Sequence, residues 1–104
     1  LALTKVEIHK MSATFDAVAE IIAANTDVSQ SDIKPESHLM RDLGIDSLSF
    51  LDLAFEIDQR FSIQMPVEDW MQSVNQGEVQ SDEFFIVGNL CRHIDQLVSA
   101  NVAA

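Results

Sequence analysis

Leu43-Gly44-Ile45-Asp46-Ser47-Leu48 is the stretch on which the reading of this chain turns, a loop that runs directly into an amphipathic helix. At such a junction an acid is stabilised by the free N–H groups of the first helical turn. A short hydroxyl there can project into solvent, within reach of a modifying enzyme. Asp46 and Ser47 fit those two positions. Two readings of the pair stand open on these residues alone: one or other is simply a helix cap, or Ser47 is a modification site.

Downstream, a helix is expected from Ser47 to about Arg60, and placing its residues at helical spacing separates two apolar surfaces. Phe50, Leu53, Ala54, Ile57 and Phe61 cluster on one face and are expected to point to the core. Leu48, Leu51 and Phe55 form a second strip beside Ser47, bordered by Asp52 and Glu56. That strip is either more core, as Leu/Phe stripes usually are, or a docking surface.

Upstream, Thr26 to Asp46 shows no long periodic run and is broken by Pro35, with Val28, Ile33, Leu39, Leu43 and Ile45 available as apolar pegs. Ahead of it, Phe15, Val18, Ile21 and Ile22 recur at helical spacing, which predicts a first helix from Ser12 to about Asn25. Met11-Ser12-Ala13-Thr14 reads as a translation start with an extension before it. Residues 1–11 are therefore expected to be a disordered extension and 12–104 the folded domain. Beyond Pro66, Val67 to Asn75 reads as a short helix ended near Gly77. Ser81 offers an N-cap for Asp82-Glu83-Phe84-Phe85, and a final helix carries Val87, Leu90, Ile94, Leu97 and Val98, with a break expected at Gly88. The fold class is all-α.

The chain has 104 residues, a 47% apolar share and a formal net charge of −11 from 17 acids against 6 bases. One domain with a modest core follows, and the charge argues against nucleic acid and anionic lipid while favouring basic protein partners. The single Cys91 cannot form an internal disulfide and no apolar run approaches a membrane span, so a cytoplasmic site is expected. Cys91 with His93, His38 and His9 gives no familiar metal spacing; Cys91 is expected in the core and His93 on the surface. A calcium loop at Asp42 and Asp46 would need a glutamate where Leu53 stands. Gly44-Ile45-Asp46-Ser47 is not the Gly-x-Ser-x-Gly elbow of a hydrolase. No metal site and no catalytic constellation are expected.

The segment Asp42-Leu43-Gly44-Ile45-Asp46-Ser47-Leu48, continued by Leu51, Asp52, Phe55 and Glu56 and with Phe61 and Pro66 downstream, resembles the attachment site of acyl carrier proteins. The resemblance runs from the first helix to the last. It implies a four-helix bundle with a long loop between helices one and two, and additional short helical structure before the last helix. It further implies that Ser47 carries 4′-phosphopantetheine, whose thiol holds acyl groups as thioesters. Asp46, Leu48, Leu51, Asp52, Phe55 and Glu56 would then be the partner-binding residues of a monomeric carrier with no catalytic role of its own. The implied partners are a phosphopantetheinyl transferase (a holo-acyl-carrier-protein synthase using Mg²⁺ and coenzyme A), ketosynthases and other fatty-acid synthesis enzymes.

Two departures qualify the match. Ser49, Gln59 and Arg60 stand where many family members carry acids. The stretch from Pro66 to the final helix is also longer than usual, which is similar to the specialised alphaproteobacterial carriers of very-long-chain fatty acids for lipid A. That narrower likeness implies a dedicated lipid A acyltransferase as a partner. It leaves Trp70, Met71, Val74, Phe84 and Phe85 either as core or as a wall for part of a long acyl chain. Carriers for housekeeping fatty-acid, polyketide or peptide synthesis, and an unmodified acidic helical adaptor, are the alternatives.

Overall fold

Helix α2 spans Ser47–Phe61. Its inward stripe is the expected one: Phe50, Leu53, Ala54 and Ile57 are buried, and Phe61 is half-buried against the same core. The computed structural model describes residues 5–103, with side chains from 13 to 100. The other helices are α1 (Lys5–Asn25), α3 (Val67–Asn75), α4 (Asp82–Phe85) and α5 (Val87–Ala103), and a 3-10 turn, Gln30–Asp32, lies in the first loop. Among the described residues there is no strand, only one isolated antiparallel bridge between His38 and Ile86.

The helix α1 packs on α5 and α2, and α4 packs on α5. Val18 and Ile22 from α1, Phe50, Leu53 and Ile57 from α2, and Leu90 and Ile94 from α5 meet at the centre, all fully buried. The Thr14 hydroxyl donates to Asp95 Oδ1 at 2.6 Å and ties α1 to α5. In the long loop, Ile33, Leu39 and Ile45 are buried and Val28 and Leu43 pack partly against the core, so the pegs hold a segment that makes no long helix.

Chain punctuation follows simple physical causes. The α2 helix ends at Ser62, whose φ of 55° and ψ of 47° are left-handed, and the following turn is fastened by Asp58. Its backbone oxygen accepts the Ile63 N–H at 3.0 Å and its Oδ1 accepts the Met65 N–H at 3.0 Å. Gly77, at φ 75°, closes α3 where expected. α1 begins at Lys5 rather than at the Ser12 expected from spacing. The run Lys5-Val6-Glu7-Ile8-His9-Lys10-Met11 holds no glycine or proline and is rich in good helix formers. The first four residues of the expected extension lie outside the described residues.

The expected break at Gly88 falls instead at Ile86, whose ψ is 128°. The cause is tertiary. The Leu39 N–H donates to Phe85 O at 2.8 Å, the Val87 N–H to Ser37 O at 2.9 Å and the Gly88 N–H to Pro35 O at 2.8 Å. This seam consumes N–H groups that the start of α5 would otherwise leave unsatisfied. Gly88 serves close approach: a Cβ there would stand 3.0 Å from Pro35 O. Ser81 does not cap α4; its hydroxyl meets His38 Nε2 at 3.2 Å instead.

Candidate functional site

The head of α2 is set by pegs on either side of Ser47. Ile45 is buried two residues before it, its N–H donating to Leu39 O at 3.0 Å, and Phe50 is buried three residues after it. Gly44 turns the chain at φ 71°. No neighbouring atom lies near its would-be Cβ, so what selects glycine there is the backbone angle alone.

Asp46 is the N-cap, with φ −86° and ψ 176°, and its Oδ1 accepts the Ser49 N–H at 2.8 Å. That bond is the main reason its carboxyl titrates below the ordinary carboxylate range. Of the two candidate caps, Asp46 takes the work, and the Ser47 side chain is exposed. Among the described residues no hydrogen bond engages the Ser47 hydroxyl. An exposed, uncommitted hydroxyl at the N-terminus of a 15-residue helix fits covalent attachment of a phosphate-linked group, because the helix end favours negative charge.

The second apolar strip is not core. Leu48 is 75% exposed, Leu51 45% and Phe55 60%. Asp52 and Glu56 are also exposed beside them. Ser47, Leu48, Leu51, Asp52, Phe55 and Glu56 thus lie on the outward side of one helix, with Asp46 at its head. Two hollows border the strip towards α3. One, of ≈ 480 Å³, lies between Leu51 and Val67, Glu68 and Met71; the other, of ≈ 460 Å³, lies between Phe55, Met65 and Pro66.

Of the residues considered for an acyl wall, Trp70, Phe84 and Phe85 are buried. Trp70 and Phe84 stack at 4.7 Å with 8° between their planes, and Phe85 meets Phe50 edge-on at 5.0 Å. Met71 and Val74 are half-buried, and only Met71 reaches a hollow beside the strip. His93, expected on the surface, is half-buried against Trp70 and Phe84, with Nε2 2.9 Å from Glu83 Oε2. Cys91 is buried, which pushes its thiol up to about 12 and leaves it a packing residue. Among the described residues no three His, Cys, Asp or Glu side chains are placed to hold a metal ion, and no helix is long and apolar enough to cross a membrane.

Sequence reasoning missed His38, which is buried in the loop and bonded to both sides of it. A lone histidine in an aperiodic stretch carries no signal of that role.

Residues 16–79 match the family described as the phosphopantetheine attachment site. The chain is 53% identical over 90 residues to the acyl carrier protein AcpXL of Brucella melitensis, covering 86% of this chain and 97% of that one. It is 52% identical over 91 residues to AcpXL of Rhizobium meliloti, covering 88% and 96%. An acyl carrier protein of Helicobacter pylori matches at 33% over 67 residues, 64% of this chain and 86% of that one. The chain belongs to the acyl carrier proteins. It carries acyl groups on a covalently attached 4′-phosphopantetheine, and its all-helical fold is that expected of the family. Membership implies dealings with a phosphopantetheinyl transferase and with enzymes that handle acyl groups.

Proposed function

We propose that Ser47 is the residue that bears the arm, and that Asp46, Leu48, Leu51, Asp52, Phe55 and Glu56 form the surface its enzymes meet. The observation that carries this reading is the division of labour at the head of α2: Asp46 makes the capping bond and Ser47 is left exposed. The arm supplies a flexible tether ending in a thiol on which acyl groups ride. Everything else falls to the chain. The N-terminus of α2 favours the phosphate that joins arm to serine. Leu48, Leu51 and Phe55 offer apolar contact, while Asp52 and Glu56 attract basic partners at long range and keep docking quick and reversible. Catalysis belongs to the partners.

The cargo in this reading is very-long-chain fatty acid destined for lipid A, built by ketosynthases and their companions in the cytoplasm and removed by a dedicated acyltransferase. Similarity to proteins named AcpXL over nearly their whole length supports it. The carrier unit in this reading is residues 12–104, with 1–11 an extension to it whose residues 5–11 continue α1. Acyl species released from the protein isolated from its native cell test the cargo: very long chains are expected. Only ordinary-length fatty acids, or polyketide or peptide intermediates, would put the chain in one of the other carrier pathways.

A further inference from the structure

His38 stands outside both the attachment motif and the exposed strip, yet it joins two parts of the molecule. Its side chain is buried and its two ring nitrogens face different elements. Nδ1 accepts the N–H of Met40 at 3.2 Å and of Arg41 at 3.1 Å. Nε2 lies 3.2 Å from Ser81 Oγ and 3.6 Å from Asp82 Oδ1, at the start of α4. With Nδ1 accepting twice, the proton of the neutral ring belongs on Nε2, which donates to Ser81.

The turn that follows is wound on the same residue. The His38 N–H donates to Asp42 Oδ2 at 2.8 Å, and the Asp42 and Leu43 N–H groups donate to His38 O at 2.9 and 3.1 Å. The Gly44 N–H reaches Met40 O at 3.2 Å and the Ile45 N–H reaches Leu39 O at 3.0 Å, which delivers the chain to Asp46 and Ser47. On the far side α4 is held to α5 by Glu83, which pairs with Arg92 at 3.2 Å and His93 at 2.9 Å.

We propose that His38 is a positioning residue for the loading of Ser47: its neutral ring fixes the 38–45 turn that presents the serine, and through Ser81 it makes that turn sense whether α4 is in place. The inference rests on the reading of Ser47 as the attachment residue. Anything that lifts α4, such as a bound chain or a partner, withdraws one support from the turn. Protonation withdraws two, because an N–H at Nδ1 would face two N–H donors. The charged groups around the ring are Arg41 and Asp42 from the turn and Asp82 from α4, the last paired with Arg41 at 3.3 Å. Asp82 lies at the Nε2 side and offers Nδ1 no acceptor. Burial, aided by Arg41, accordingly keeps the ring neutral to lower pH than an ordinary histidine.

Two substitutions divide the ring's roles. The amide oxygen of His38→Asn takes the place of Nδ1 and leaves Ser81 unmet, whereas His38→Gln reaches towards Ser81 and leaves the Met40 and Arg41 N–H groups unmatched. Full-length wild type, both variants and Ser81→Ala are checked for native helicity and then loaded by a phosphopantetheinyl transferase with coenzyme A and Mg²⁺. The kcat and KM are taken from about pH 5.5 to about 8, across the ordinary histidine range. Ratios to wild type at each pH cancel the transferase's own titration. His38→Asn keeps the two turn bonds and loses only the one to Ser81, so at high pH it should load more slowly than wild type but faster than His38→Gln, the ratio rising wherever His38 takes up a proton. His38→Gln loses two hydrogen bonds, each worth about fivefold, and should lose kcat about twenty-fivefold, with KM little changed. Ser81→Ala should shift the Met40 and Arg41 amide resonances in the wild-type background and leave them unmoved beside His38→Asn. Full-rate loading of His38→Gln, or loading of His38→Asn no faster than that of His38→Gln, overturns the inference while leaving Ser47 as the attachment residue. A wild-type chain that takes no arm at Ser47 overturns both.

Discussion

Phe84 offers the sharpest test of whether the segment after Pro66 is core or surface. Its ring is 7% exposed, stacked on Trp70 at 4.7 Å and close to His93 at 5.3 Å. Removing such a ring from a packed site costs about 3–5 kcal/mol. Against a total stability of about 5–15 kcal/mol that is a large share, and the midpoint of thermal unfolding should fall by more than about 12 °C. Phe84→Leu keeps most of the volume and should cost less than about 1.5 kcal/mol. Leu48→Ala, at a residue 75% exposed, should change stability by less than about 0.5 kcal/mol while slowing loading of Ser47. Urea unfolding of the protein without its arm, followed by far-ultraviolet circular dichroism, measures all three. If Phe84→Ala costs under about 1 kcal/mol, the stack contributes nothing to the free protein and the placement of this segment in the core is wrong.

Charge reversal at Asp52 and Glu56 should slow transfer to Ser47 at low salt and leave stability within about 0.5 kcal/mol, the two rates converging as salt is added; an unchanged low-salt rate would remove α2 as the docking face. Because the folded pKa of His38 lies below its ordinary 6.5, the unfolded chain binds the proton first as pH falls. The stability this residue contributes is complete above about pH 6.5 and is lost on the way down to the folded value, so wild type should lose more urea resistance than His38→Asn between about pH 7.5 and 5.5. Loading a very long acyl chain should alter Trp70 fluorescence and the amide shifts of residues 67–85 more than a short chain does; equal responses would assign the extra segment to selecting a dedicated acyltransferase.

What the sequence made legible and what it hid divide along one line. Helices α2 and α3 could be read because their apolar periodicity is strong and their ends carry local marks, Asp46 before one and Gly77 after the other. The exposure of Leu48, Leu51 and Phe55 was open from spacing alone, since a second stripe beside a full core face can point either way. The break at Ile86, the diversion of Ser81 to His38 and the burial of His93 all depend on which segments meet in space. The seam between residues 35–39 and 85–88 joins stretches some fifty residues apart. No local pattern encodes such a pairing.

In the function proposed above, one serine, Ser47, bears the arm. Trypsin cuts after Arg41 and Arg60, so Ser47 and Ser49 fall in the same peptide, residues 42–60, and only its fragmentation tells them apart. After treatment of the full chain with a phosphopantetheinyl transferase and coenzyme A, fragment masses should place the added group on Ser47, and Ser47→Ala should remain folded and unmodified. The arm found on Ser49 or any other residue, or a wild-type chain of unchanged mass, would exclude Ser47 as the attachment residue.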